Sequence, residues 1–240
     1  MLTIVTGASQ NHVKSLLQFI RSFLQVYKSD PKTTLVIYNL GLEPEGEIQV
    51  KLLTADCSNV FHKTFEYTNY PDYFNINVNA GEYAWKPNIL YETCKEYGNN
   101  VVWMDAGNLI LNRLDELEKF IEINGIHSGL TAGTIKDWTH PTTLQNMRCD
   151  PLLYSLRNRN GACIGVNYNL PWVQQFVEDW KNYSFRKEVI APEGSSRQNH
   201  RQDQAVFSVL FYQYYFKYFF GRFDHWFYQL MGYSIHNDCD

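Results

Sequence analysis

The chain has 240 residues, 21 Lys+Arg against 25 Asp+Glu, and a formal net charge of −4. That length supports one sizeable α/β core, and no linker-like tract divides it, so a single domain over 1–240 is expected. Mild acidity argues against nucleic acid as a partner, and 45% hydrophobic with 19% charged residues excludes a disordered chain.

Residues 2–5 form a short apolar run that reads as a buried strand, closed by Thr6-Gly7-Ala8-Ser9. A helix follows. Val13, Leu16, Leu17, Ile20, Phe23, Leu24 and Tyr27 lie on one apolar stripe at helical period, and Asp30-Pro31 ends it. Residues 35–38 are the next buried strand, 45–54 a weaker helix, and 60–65 a third strand. Residues 68–82 are polar and rich in turn formers. Lys86-Pro87 opens a helix with Pro in the first turn, where its missing N–H costs nothing. Residues 101–104 (VVWM) are a fourth buried strand that ends at Asp105.

This alternation of strand and helix predicts an α/β fold with a mainly parallel sheet, and ligands then sit outside the carboxyl ends of the strands. The second half is less regular. Residues 131–150 read as loop-rich, 162–166 as a strand, and Trp172, Phe176, Val177 and Trp180 as a helix face. Residues 191–202 form a polar loop. A last helix starts near Gln202 and carries Val206, Val209 and Leu210. Aromatic residues fill 13 of the 22 positions in 207–228, which fits a helix packed on the core better than an interfacial segment with few basic residues.

The first residues lack a basic, apolar leader, and no run of 18 apolar residues exists, so neither a signal peptide nor a membrane-spanning helix is expected. The five cysteines are odd in number and form no C-x-x-C pair. Reduced thiols suit a cytoplasmic chain or a soluble domain without its own targeting signal.

Two patterns point to a dehydrogenase and fail. Val5-Thr6-Gly7-Ala8-Ser9 resembles the opening of short-chain dehydrogenases, but Asn11 and Val13 stand where their loop needs glycine. Tyr91-x-x-x-Lys95 mimics their catalytic pair but comes too early in the chain.

Three other places carry chemistry. Asp105 sits at the tip of a hydrophobic strand, followed by Gly107, which permits close approach of a ligand. An Asp there also suits a turn. Asp203-Gln204 follows Asn199-His200-Arg201-Gln202, a polar cluster denser than N-capping by Asp203 requires. Asn160-Gly161 lies beside Arg157 and Arg159 at the entry of an apolar run.

Taken in order, the segments 3–23, 38–42 (YNLGL), 83–90 (YAWKPNIL), 101–110 (VVWMDAGNLI), 160–166 (NGACIGV) and 200–207 (HRQDQAVF) resemble GT-A class nucleotide-diphospho-sugar transferases over almost the whole chain. The strand-end acid, the N-G segment and the D-Q helix resemble glycogenin-type and lipopolysaccharide-type enzymes. The W-K-P and D-A-G forms look closer to little-characterised glycosyltransferases of eukaryotes and large viruses.

The resemblance implies a GT-A-like Rossmann-type three-layer sandwich. It implies transfer of a sugar from a nucleoside-diphosphate donor, with UDP-sugar the first choice, to a hydroxyl of a glycan, protein or lipid. The alternative is a non-catalytic nucleotide-sugar or glycan-binding domain of the same fold. By the resemblance, Thr6, Gly7, Ala8, Lys86, Asp105, Ala106, Gly107, Asn160 and Gly161 line the donor site. Asp203 and Gln204 are the catalytic pair, with Asp203 as acceptor-side base or donor-sugar anchor. Trp138 and His140 are candidates for stacking on the acceptor.

The departure lies at the D-x-D metal motif, where Gly107 replaces the second acid. Mn2+ or Mg2+ would then rest on Asp105 with help from His236. Without a metal, Lys86 and Arg157 or Arg159 would supply the positive charge opposite the diphosphate.

Overall fold

A computed structural model describes residues 1–218 and 228–239. Among these, six strands form one sheet in the order β3-β2-β1-β4-β7-β6. They are β1 (Leu2–Ala8), β2 (Thr33–Asn39), β3 (Val60–Thr64), β4 (Asn100–Met104), β6 (Ile126–Thr134) and β7 (Arg157–Asn167). The first four pair in parallel, while β7 runs antiparallel between β4 and β6. Strand β5 (Leu109–Ile110) pairs separately with β8 (Tyr233–Ser234), which ties the C-terminal tail to the loop after β4.

Helices cover both faces of the sheet, and alternate strand residues feed two cores. On one face Ile4, Leu35, Ile37, Val102 and Met104 pack with α1 (Val13–Tyr27), α2 (Pro44–Leu53) and α4 (Asp115–Asn124). On the other, Val5, Val36, Trp103, Ile164 and Val166 pack with α3 (Trp85–Tyr97), α7 (Pro171–Ser184) and α9 (Gln202–Tyr218). This is the expected three-layer α/β arrangement with a mainly parallel central sheet.

The helix ends follow their sequences. Pro44 and Pro171 sit in the first turns of α2 and α7. Asp115, Glu116 and Glu118 place negative charge at the N-terminus of α4. Gly125 ends that helix at φ +78, and a Cβ there would meet the Trp172 ring at 2.2 Å.

Two expectations need correction. Residues 131–150 are not mainly loop. Strand β6 runs on to Thr134, whose hydroxyl and Asp137 form a reciprocal cap on α5 (Ile135–Trp138), and α6 (Pro141–Asn146) follows. The threonines and Gly133 that read as loop are the bulged end of β6 and this cap. Strand β7 is also longer than 162–166, because Arg157 to Gly161 continue the pairing with β6.

In the aromatic stretch, Phe207, Phe211 and Tyr212 are buried on the core, and Phe207 meets Phe176 and Trp180 edge to face. The part of that stretch over 219–227 lies outside the described residues. Among the described residues no helix is long and apolar enough to cross a membrane.

Candidate active site

The carboxyl ends of β1 and β4 converge on the first turns of α3 and α9 and on the middle of β7. Between them is a cleft of about 860 Å3. Gly7, Ala8, Asp105, Ala106 and Gly107 form its strand-end wall, and Lys86, Asn160 and Gly161 lie at its base. Arg197, Arg201, Asp203 and Gln204 form the helix wall, and His236 and Asp238 reach it from the tail.

Lys86 is the centre of the site. Its ammonium donates to Asp105 Oδ1 at 2.9 Å and to the Gly161 carbonyl at 3.2 Å. It also stands 3.4 Å from Asp203 Oδ2. The side chains of Lys86 and Asp203 are 5% and 6% exposed, whereas that of Asp105 is 41% exposed. Burial alone would discharge the lysine, but the charges of Asp105 and Asp203 outweigh it and hold the ammonium above the ordinary lysine range.

Burial pushes the Asp203 carboxyl up to about 6 against the pull of Lys86, with repulsion from Asp105 adding to the rise. Asp203 Oδ2 is close enough to Lys86 for an ion pair but is not aligned for a hydrogen bond, so this buried acceptor keeps its capacity. Asp105 is held differently, because Oδ1 also accepts from Trp103 Nε1 at 2.6 Å.

The structure gathers Gly7, Ala8, Lys86, Asp105, Ala106, Gly107, Asn160, Gly161, Asp203, Gln204 and His236 around this one cleft. Asn160 uses its side-chain oxygen to hold the Ala162 N–H at 2.7 Å, which leaves its amide NH2 for a ligand. Asp203 lies in the first turn of α9 and not at its cap.

Three residues fall elsewhere. Thr6 is fully buried within β1 and does not line the cleft, because the strand alternation turns it into the core. Trp138 is held by its ring N–H on the Ala132 carbonyl, and it carries Arg201 stacked 4.2 Å from its ring centroid. His140 accepts from the Thr142 N–H and caps α6. Neither lines the cleft; Arg201 stands there instead.

Arg157 and Arg159 are also away from the cleft. Arg157 donates to the Thr131 carbonyl, and buried Arg159 donates to the Ser128 carbonyl and stacks on Phe211. The arginines at the cleft are Arg197 and Arg201, from the polar loop over 191–201. His200 anchors that loop. Its Nε2 donates to the Ile190 carbonyl, its Nδ1 accepts from the His140 N–H, and burial lowers its pKa to about 4.

Tyr83 and Asp238 also line the cleft, and sequence patterns did not single them out. Tyr83 comes from the short turn Asn79–Tyr83, whose residues adopt left-handed backbone angles. Four of those five are not glycine, so composition gives no sign of the turn.

A divalent cation is tested by its donor set. No group of three or more His, Cys, Asp or Glu side chains is placed to hold a metal among the described residues. Asp105 and Asp238 nevertheless both reach the cleft, with Asp238 against Gly107. Two carboxylates suit Mn2+ or Mg2+ bound jointly with diphosphate oxygens and water, and do not make a cage of their own.

Residues 1–91 match the family model described as Protein of unknown function (DUF1647). No curated protein matches the chain. Solved structures do. The WbbM bifunctional glycosyltransferase superposes with a TM-score of 0.59 at 14% identity, over 88% of this chain and 37% of its own. The galactosyltransferase LgtC, solved with donor and acceptor sugar analogs, gives 0.55 at 14% identity, over 87% of this chain and 70% of its own. Mouse xyloside xylosyltransferase 1 gives 0.50 at 12% identity, over 88% and 81%. The chain thus spans little more than a third of the length of WbbM. At these identities the likeness is one of architecture, and the architecture is that of GT-A glycosyltransferases.

Proposed function

We propose that the chain transfers a sugar from a nucleoside-diphosphate donor, with UDP the preferred carrier, to a hydroxyl acceptor. One observation carries this reading. A buried ammonium is clamped between a strand-end acid and a helix-end acid, at the carboxyl edge of a parallel sheet, and one buried carboxylate oxygen is left open.

Each group then has a task. Gly7 and Ala8 keep the strand-end wall low where the nucleotide would lie. The Asn160 amide NH2 donates to sugar hydroxyls, and the open Asp203 oxygen accepts from them. Transfer breaks the bond between the anomeric carbon and the diphosphate and forms one to the acceptor oxygen, whose proton leaves with the departing diphosphate. Arg197 and Arg201 face the cleft and favour the charge that builds on the leaving diphosphate. A divalent cation held by Asp105 and the diphosphate would add charge neutralisation at the same place.

A thermal-shift panel of nucleotides and nucleotide sugars tests the reading, since a ligand that binds only the folded state raises the apparent melting temperature. UDP and a UDP-sugar are expected to raise it. No shift with any member at millimolar concentration rejects the proposal. Binding with neither transfer nor donor hydrolysis would leave a binding domain.

A further inference from the structure

Gly107 stands two residues after Asp105, where a second metal-binding acid would be needed. The space over Gly107 is not empty. A Cβ built there would lie 2.3 Å from Asp238 Oδ1, 2.6 Å from its Cγ and 2.7 Å from its Oδ2. Those separations are about as short as those from an aspartate's Cβ to its own carboxylate oxygens. The tail carboxylate therefore occupies the volume in which a side chain at 107 would begin.

The tail is fixed on both sides of Asp238. Strand β8 pairs with β5, and the Tyr233 hydroxyl bonds His127 Nε2 at 2.8 Å. The Asn237 N–H donates to the Gly107 carbonyl at 2.6 Å, and the Cys239 N–H donates to Ser15 Oγ at 3.1 Å. A segment bonded before and after one residue does not place its carboxylate by fraying.

That carboxylate has no charge partner among the described residues. Lys86 is engaged by Asp105 and Asp203, and the two cleft arginines stand over Tyr83 and Trp138. Asp105 uses Oδ1 for both Lys86 and Trp103. The strand-end lip thus presents two acids without an added cation. The same cleft holds the buried Asp203 Oδ2, which is near Lys86 but accepts no hydrogen bond, a mark of a site open to a ligand.

We propose that Asp238 replaces the missing acid at 107, so that Asp105 and this tail carboxylate together bind a divalent cation of the Mg2+ or Mn2+ class along with the donor diphosphate. The inference rests on the donor reading above and adds a residue distant in sequence to that site. A hard cation is commonly held by one or two carboxylates, phosphate oxygens and water. The ion and the nucleotide then bind cooperatively, and the tail forms part of the donor site.

The test is calorimetric titration of UDP with and without Mn2+. In the parent, Mn2+ is expected to raise UDP affinity roughly tenfold or more. Asp238→Ala is expected to remove that gain, read as the ratio of UDP affinities with and without Mn2+ in the same variant. Adding Gly107→Asp to Asp238→Ala is expected to restore it. Gly107 is not in the left-handed region, so its backbone accepts a side chain once the tail carboxylate is gone. The inference is overturned if the parent binds UDP without any Mn2+ effect, or if the effect survives Asp238→Ala. It is also overturned if the double variant, with an unchanged melting temperature, stays uncoupled. A parent that binds UDP under neither condition overturns the donor reading, and this inference with it.

Discussion

The two walls of the cleft hold their carboxylates by opposite means, although both face the same ammonium. Asp105, on the strand-end wall, is half-exposed and takes two donors on one oxygen, from Lys86 and Trp103. Asp203, on the helix wall, is buried, and the oxygen it turns to Lys86 stands at ion-pair distance without a hydrogen bond. Water shares in stabilising the first charge. Only the protein stabilises the second, and it does so incompletely. In the proposed reaction the strand-end wall would keep its contacts, while the helix wall, with an oxygen that accepts no hydrogen bond, would change its own when a ligand arrives.

Removing the shared ammonium breaks this comparison most severely. Lys86→Met leaves a buried carboxylate without its countercharge, and it should cost roughly 3 kcal/mol, or a fall of roughly 10 °C in melting temperature. The walls should then differ in rescue. Asp203→Asn in the Lys86→Met background should recover most of the loss, and Asp105→Asn much less, because solvent already reaches Asp105. Equal recovery, read by urea denaturation of the three variants, would refute the distinction between the walls.

Asp203→Asn alone comes next. It keeps the shape of the helix wall and removes an acceptor that matters most when charge moves. Transfer should fall about 100- to 1000-fold, as loss of a preorganised group that faces transition-state charge does. Donor affinity should stay near the parental value, since such a group acts mainly in the transition state. Turnover and UDP affinity measured on the same preparation check the split. A rate within a few-fold of the parent removes Asp203 from the chemistry.

The strand-end wall was far more legible in the sequence than the helix wall. Hydrophobic runs such as VVWM fix a strand, and the first polar residue after it, Asp105, marks the sheet edge. The proline that opens α3 placed Lys86 on a helix start. Asp203 and Gln204 were visible as a polar cluster before an apolar helix. Other parts were not local in sequence. Arg197 and Arg201 reach the cleft because buried His200 pins their loop to Ile190 and His140. Asp238 reaches it through pairing of β8 with β5, which are two residues each and too short for any periodic signal. Trp138 and His140 looked like acceptor groups by type, yet a carbonyl and a helix cap engage them.

The difference between the walls also predicts a pH dependence. Burial raises the Asp203 pKa to about 6 from an ordinary value near 3.8. Between those values the folded chain keeps a proton that the unfolded chain has lost. Stability from this group is thus present at low pH and disappears as pH rises through about 6. Asp30, Asp137 and Glu188 have lowered values and act in the opposite sense, at more acid pH. Lys86, the cation that faces Asp203, is held above the ordinary lysine range and stays charged across the window. The melting temperature of the parent minus that of Asp203→Asn should therefore decline from pH 4 to pH 6.5. A difference that is flat or rises would show that Asp203 ionises like an exposed acid.

The mildest change lies between the walls, at Gly161. A Cβ there would meet Gln204 Cβ at 3.4 Å and Asp203 Oδ2 at 3.6 Å, both ordinary contacts. The backbone is not left-handed, and the carbonyl that receives Lys86 would not need to move. Gly161→Ala should therefore fold with a melting temperature within about 2 °C of the parent. Yet its methyl would stand beside the open oxygen of Asp203, where a sugar hydroxyl must approach. Transfer should fall roughly tenfold, through misplacement of the sugar and not through loss of the charged groups. UDP, which lacks the sugar, should bind as before, while a UDP-sugar should bind more weakly. Calorimetry with the two ligands separates these effects. If UDP-sugar affinity and turnover are both unchanged, the sugar does not lie against Gly161, and the open oxygen of Asp203 faces the acceptor instead.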